Sequence, residues 1–435
     1  MTLGYKTISA VGLVAALSLG MALPAAAAGE VQLTANGSAL SGAKISGTSF
    51  TAAASTPAGT ESVRFYVDGT YLGKDSSSPY SWPVSTTAGE HELKVRVDGK
   101  TDYRAEAKFS VTGTATTPTP QPSTPVTTPV PTPAPSTPAT GTAPVSSTVT
   151  TSAQLDAALK SAKPGTTISL ADGKYVGKFV APADGTKDQP ITLVGSSKAV
   201  LTTDSLSKGY GLNVTGDYWN VKGISVTKSG KGIVLDGSVG SVIDGVDVGN
   251  IGDEGVHFRK NSTDGTIVNS KIHDTGLDSP SYGEGVYIGS AKSNWSSIMG
   301  SSSTPDRSDR VVVKNNQIFN TTTEGVDIKE GTVDGSVTGN VFTNSGFSGA
   351  NYGDSWVDVK GNNYVISNNS GKGTLLDAFQ VHQALAGWGN NNKFSNNTAD
   401  GISGYLVSVQ KGATGNVVSC QSTTAKLGLS NIACS

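Results

Sequence analysis

The 435-residue sequence predicts an all-β protein whose larger part, residues 148–435, is a single-stranded right-handed parallel β-helix preceded by a small β-sandwich. Three observations predict it. The composition, with 54 Gly, 6% aromatic and 15% charged residues, is spread over short Val/Ile/Asn/Gly alternations that read as short strands between tight turns. A five-residue pattern recurs as Gly232-Ile-Val-Leu-Asp236, Gly255-Val-His-Phe-Arg259, Gly285-Val-Tyr-Ile-Gly289, Gly325-Val-Asp-Ile-Lys329, Trp356-Val-Asp-Val-Lys360, Ala378-Phe-Gln-Val-His382 and Leu406-Val-Ser-Val-Gln410. The steps from Gly232 to Gly255 and from Trp356 to Ala378 are each about two dozen residues, the length of one three-strand coil, and longer steps mark loop insertions.

Along the chain, Lys6 precedes the apolar run Ile8 to Leu23, which ends in Ala25-Ala26-Ala27-Ala28-Gly29. Residues 1–28 therefore read as a secretory signal peptide, and the mature protein as extracellular. No later segment has the apolar length of a membrane span, so no membrane partner is expected. Residues 29–113 hold alternating strands such as Val63-Arg-Phe65-Tyr-Val67 and His91-Glu-Leu93-Lys-Val95-Arg-Val97. Val63-Arg-Phe-Tyr-Val-Asp-Gly-Thr-Tyr-Leu-Gly, with Pro79-Tyr-Ser-Trp82, resembles the bacterial immunoglobulin-like modules appended to secreted glycan-active enzymes, which space or bind rather than catalyse. Residues 114–147 are nearly all Thr, Pro, Ser, Val and Ala, a semi-rigid extended tether.

At Ser152 a serine cap precedes Leu155, Ala158, Leu159 and Ala162 at helical spacing, and Pro164-Gly165 stops the run. Such a helix would plug the open end of the coil stack. Asn316, Asn340, Asn369, Asn397 and Asn416 recur just before apolar residues or in a turn, as an asparagine ladder would. Cys420 and Cys434 are the only cysteines, and an exported protein can keep them paired in a disulfide that pins the last coil. The net charge of -2 lacks the basic excess that phosphate binding needs, which argues against a nucleic-acid partner. The protein reads as a monomer.

In the recurring strands the second and fourth residues are apolar and turn inward, leaving the first, third and fifth facing solvent. The third positions then form the column Val234, His257, Tyr287, Asp327, Asp358, Gln380, Ser408, and the fifth positions form Asp236, Arg259, Gly289, Lys329, Lys360, His382, Gln410. With coils roughly 4.8 Å apart, Asp327 and Asp358 should stand side by side, flanked by Lys329 and Lys360. Glu254, Glu284, Glu324, Asp354 and Asp377 precede the strands as a third, acidic column. Stacked like charges are unfavourable, so this crowding suggests a binding site rather than solvated decoration. Interrupting loops carry Trp295, Tyr352 and Trp388, aromatic planes that, with Tyr287 and Gln380, suit sugar rings.

This chemistry matches removal of a proton beside a uronate carboxylate, which needs charge neutralisation, a base and a donor to the leaving oxygen. Glu324, Asp327 and Asp358, with Glu284 as a fourth, are the expected ligands for Ca²⁺. Lys329, its pKa lowered by Lys360 and the metal, is the expected base. Arg259, His257 or His382 would stabilise or protonate the departing oxygen.

Thr167-Ile-Ser-Leu-Ala-Asp-Gly-Lys-Tyr175 and Asp217-Tyr-Trp-Asn-Val-Lys-Gly-Ile-Ser-Val226 resemble the N-terminal part of the chondroitinase B and alginate lyase family of pectate-lyase-like β-helix polysaccharide lyases. That resemblance implies calcium held by a Glu-rich strand and a lysine base just downstream. Glu324-Gly-Val-Asp327-Ile-Lys329-Glu-Gly-Thr is similar in content, although its lysine lies only two residues past the second acid, closer than in the family. Two other readings stay open: a glycoside hydrolase using Asp327 and Asp358, and a non-catalytic glycan-binding surface protein.

Overall fold

The computed structural model describes residues 31–68, 70–75, 77–99, 103–112, 146–349 and 353–435, so the expected signal peptide, nearly all of the tether and Tyr352 lie outside the described residues. The chain divides into two compact units.

In the first unit a four-stranded and a five-stranded sheet enclose a core that includes Val63, Phe65, Leu93, Val95 and Phe109. The alternating sequences form neighbouring strands of the larger sheet, Thr60–Val67, Gly89–Gly99 and Tyr103–Thr112. Period-two patterning is what sends every second side chain of these strands inward.

The second unit is a parallel β-helix of three sheets with eleven, nine and ten strands, in which each strand pairs with its counterpart one coil on. It begins with Ser146–Val149, paired to Thr167–Leu170, two residues ahead of the boundary expected at 148. Helix Ser152–Ser161 closes the first coil by burying Leu155 and Leu159 against the solenoid core. Its N-cap is Thr151 rather than Ser152: the Thr151 hydroxyl accepts from Gln154 N, while Gln154 Oε1 accepts from Thr151 N, a reciprocal box that only this residue pair can make. At the other end Cys420 and Cys434 form the expected disulfide.

The ten-stranded sheet contains every recurring pentapeptide in the expected register. Its second and fourth positions, such as Val256 and Phe258, Val286 and Ile288, Val326 and Ile328, Val357 and Val359, stack coil on coil in one continuous core. Full burial of each such side chain contributes about 1.5–3 kcal/mol, which is why the register cannot slip by one residue.

The predicted asparagine ladder precedes the nine-stranded sheet. Asn340 Oδ1 accepts from Asn316 N at 2.9 Å and Asn316 Nδ2 at 3.0 Å, and Asn340 Nδ2 donates to Val313 O at 2.9 Å and Asn369 Oδ1 at 3.0 Å. Asn369 repeats the pattern with Asn397. Asn416 departs from the expectation: it serves a separate ladder, accepting from Asn392 at the turn before the eleven-stranded sheet. On the nine-stranded sheet His273 stacks flat on Phe319, centroids 4.7 Å apart, with its ring nitrogens on Asp247 and Asp274 at 2.9 and 2.6 Å.

Candidate active site

The columns expected from the pentapeptides are present. His257, Tyr287, Asp327, Asp358, Gln380 and Ser408 are successive Cα partners across the ten-stranded sheet. They differ from expectation in exposure. Asp327 and Asp358 are each 1% accessible, because the side chains of the neighbouring column lie over them instead of extending into solvent. Lys329 Nζ sits 2.5 Å from Asp327 Oδ2 and 4.9 Å from the centroid of the Tyr287 ring. Lys360 Nζ lies 3.0 Å from Asp327 Oδ1 and also binds Asp358 Oδ2, so one ammonium bridges the two aspartates.

Three of the four expected metal ligands converge. Glu284, Glu324 and Asp327 are buried and offer carboxylate oxygens all within 4.8 Å of one another. Asp358 is not in this group; it is committed to Lys360, and its Oδ1 is buried without a hydrogen-bond partner. Burial, and then the charges of Glu254 and Asp327, push the Glu284 carboxyl up to about 8. Burial and Asp327 likewise raise Glu324 well above the usual carboxylate range. Burial works to raise Asp327 too, but Lys329 and Lys360 together outweigh it and hold this carboxyl below its ordinary value.

The lysines behave opposite to the expectation of a lowered pKa. Burial disfavours the Lys329 ammonium, yet Asp327 and Glu284 outweigh burial and hold its pKa above the ordinary lysine value. Lys360 is held the same way by Asp327 and Asp358. Lys360 opposes the Lys329 charge, but the carboxylates that the fold packs around Lys329 prevail.

Two expected proton donors are already engaged. His257 Nε2 donates to Gly289 O at 2.8 Å, and burial, with Arg259 and Lys231 nearby, keeps the ring neutral. Gly289 sits at φ +80 in a place that suits glycine, since a Cβ there would meet Thr332 Cγ2 at 2.6 Å. Arg259 binds Asp236 through Nε at 2.5 Å and NH2 at 3.1 Å, and also reaches the Tyr210 hydroxyl. His257 therefore has no proton for a leaving oxygen, and Asp236 holds Arg259 in its charged form, which suits it to stabilise negative charge rather than to give up a proton. His382 Nε2 contacts Gln380 Oε1 at 2.8 Å, and Gln380 Nε2 is spent on Asp354 and Asp377, so Gln380 is not free for a sugar.

Of the loop aromatics, Trp295 is 3% accessible and donates through Nε1 to Ser290 O, so it packs its own loop and offers no platform to a sugar. Trp388 is half-buried, in the loop after His382. Sequence reasoning missed Tyr210 and Lys231. Tyr210 sits on strand Tyr210–Val214, one coil before the first aligned pentapeptide, where the alternation Tyr-Gly-Leu-Asn-Val carried a usable signal. Lys231 binds Asp253 at 3.2 Å and also Glu254.

Comparisons with known proteins agree with this fold. Residues 136–286 match the family described as Pel9A-like, right handed beta helix region, and residues 30–95 match a bacterial Ig domain. Among solved structures, an alginate lyase from Paenibacillus sp. str. FPU-7 is 42% identical, with a TM-score of 0.62, over 66% of this chain and 97% of that one. Pectate lyase Pel9A is 15% identical over 61% of this chain and 73% of that one, TM-score 0.41. No curated protein sequence matches the chain. The fold and the similarity to the Paenibacillus enzyme together define a polysaccharide-lyase-like parallel β-helix carrying an immunoglobulin-like module. The chain belongs to the same family of right-handed β-helix proteins as that Paenibacillus enzyme.

Proposed function

We propose that this chain is a secreted lyase that cuts an acidic, uronate-containing polysaccharide by β-elimination. The observation that carries the reading is the placement of Lys329, with Nζ against Asp327 and over the Tyr287 ring at the centre of the buried acidic cluster. Similarity over 97% of an enzyme named for alginate, a polymer of uronates, supports the substrate class. The signal-like residues 1–28 support export.

Glu284, Glu324 and Asp327 fit a hard cation. Their oxygens converge, two of the carboxyls are driven toward neutrality by burial and then by neighbouring carboxylates, and Glu284 Oε2 is buried without a hydrogen-bond partner. Ca²⁺ bound there would neutralise the uronate carboxylate and so acidify the adjacent C–H. Lys329 keeps its proton because Asp327, Glu284 and Glu324 surround it, and each of these charges that is satisfied elsewhere loosens that hold. The free amine then takes the C–H proton, the C–H electrons become the double bond, and the glycosidic C–O bond breaks. Tyr287 donates to the departing oxygen: burial and Asp327 keep its phenol protonated, whereas His257 is committed to Gly289 O and Asp236 holds Arg259 charged. The Lys329 ammonium beside the ring returns a proton to the phenolate.

A hydrolase would need Asp327 or Asp358 as a proton-bearing acid, and Lys360 bridging both disfavours it. Purified protein assayed on pectate, alginate, glucuronan and glycosaminoglycans, with and without chelator, tests the reading. Ultraviolet-absorbing unsaturated products identify a lyase, reducing ends without them a hydrolase, and retention with neither a binder. Lys329→Ala should abolish turnover while leaving the fold intact, and an unimpaired variant ends the assignment of the base.

A further inference from the structure

One coil beyond Asp358, a second set of polar side chains is fixed more tightly than binding alone requires. Gln380, 5% accessible, donates through Nε2 to Asp354 Oδ1 at 2.8 Å and to Asp377 Oδ2 at 3.0 Å. Its Oε1 faces His382 Nε2 at 2.8 Å. The orientation of a side-chain amide is decided by its surroundings, and here two carboxylates decide it: turned over, the amide would aim its oxygen at both. Asp377 is itself held, with Oδ1 accepting Tyr405 N at 2.6 Å beside Gly404, where a Cβ would fall 2.2 Å from that oxygen.

With the amide fixed, His382 Nε2 faces an acceptor, and the contact is a hydrogen bond only if the proton is on that nitrogen. The neutral ring is therefore the Nε2–H tautomer, and Nδ1 keeps a lone pair. Among the described residues no group bonds Nδ1, and the side chain is 16% accessible on the rim of the site.

We propose that Gln380 is a positioning residue, and that His382 Nδ1 accepts a hydroxyl proton from the sugar bound beside Asp358. The inference rests on the saccharide reading above and adds a specificity element to it. A uronate polymer offers carboxylates, which accept, and ring hydroxyls, which donate. Lys329 and Lys360 supply donors, whereas a bare imidazole nitrogen recognises only a hydroxyl. The subsite therefore rejects a sugar whose hydroxyl there is O-acylated, because the ester leaves no proton to give and adds bulk.

Nitrogen-15 spectra of the full-length protein, which has four histidines, report the tautomer of each ring. His382, assigned by its loss in His382→Asn, should be the Nε2–H tautomer in its neutral form, and Gln380→Met should give a mixture. On an acidic polymer that the wild type cleaves, His382→Asn keeps a polar atom at the Nδ1 position and should hold KM within about threefold. His382→Gln places its amide at the Nε2 position instead and should raise KM about tenfold with a smaller change in kcat, as should Gln380→Met. An Nδ1–H tautomer in the wild type overturns the proposal. So does the reversed pattern, in which His382→Gln binds as wild type and His382→Asn does not, since that marks a ring that merely braces Asp358. If the wild type cleaves no acidic polymer, the lyase reading has failed and the hydroxyl contact falls with it, while the tautomer still decides the Gln380 lock.

Discussion

Replacing Asn340 by alanine should cost roughly 4 kcal/mol of stability without touching the site. The side chain is fully buried and makes four hydrogen bonds, two received from Asn316 and two given to Val313 O and Asn369 Oδ1. Each is worth about 1 kcal/mol net, and the groups left behind sit where water has no access. Asn340→Asp sharpens the test, because it is isosteric yet turns both donated bonds into oxygen facing oxygen. It should be at least as damaging as alanine, a ranking that size or hydrophobicity would not give. Thermal unfolding of the full-length protein, followed through the β-helix transition, should shift down by about 2 °C per kcal/mol, hence by about 8 °C. A loss below about 1 kcal/mol for Asn340→Ala, or an aspartate variant more stable than the alanine one, would refute the claim that the ladder holds the turns together.

Tyr287→Phe should lower kcat by about 10²–10⁴ with little change in KM, in initial rates on whichever acidic polymer the protein cleaves; an unchanged kcat removes the phenol from the reaction. Calcium at about a hundredfold excess over its Kd should stabilise the protein by about 2.7 kcal/mol, and Glu324→Gln should abolish the shift in a thermal melt. His273 is raised chiefly by its hydrogen bond to Asp247, which exceeds the opposing burial, so its stabilisation is complete below the unfolded value of about 6.5 and fades as pH rises through the higher folded value. Denaturant melts should therefore show the advantage of wild type over His273→Gln shrinking as the pH is raised above neutrality. An advantage that instead grows with pH would contradict the charge assignment.

The register of the β-helix was legible because alternation has only two phases, and the wrong one would bury Asp327 and Asp358 in the core while exposing Val326 and Ile328. The same logic placed Tyr287, Asp327, Lys329, Asp358 and Lys360 in one patch. What sequence could not supply was the environment at right angles to the strands. Trp295 reads as a platform until the fold shows its indole donating to Ser290 O. The rise in Lys329 depends on how many carboxylates converge from neighbouring coils, a sum over residues far apart in sequence. Asn416 was misplaced because an asparagine before an apolar residue looks alike at two different corners of the coil. Thr151 and Ser152 are both competent caps, and only the reach of Gln154 separates them.

Since each strand meets its neighbour exclusively through a one-turn offset, length and chemistry vary independently in such a rod. Whole turns can be gained or lost on the side of the Ser152–Ser161 plug without displacing the reacting groups, which travel together as a cassette. A single-residue deletion within Val326–Ile328 is of another kind: it exchanges lumen and exterior for that turn, and would erase the chemistry and the packing in one event.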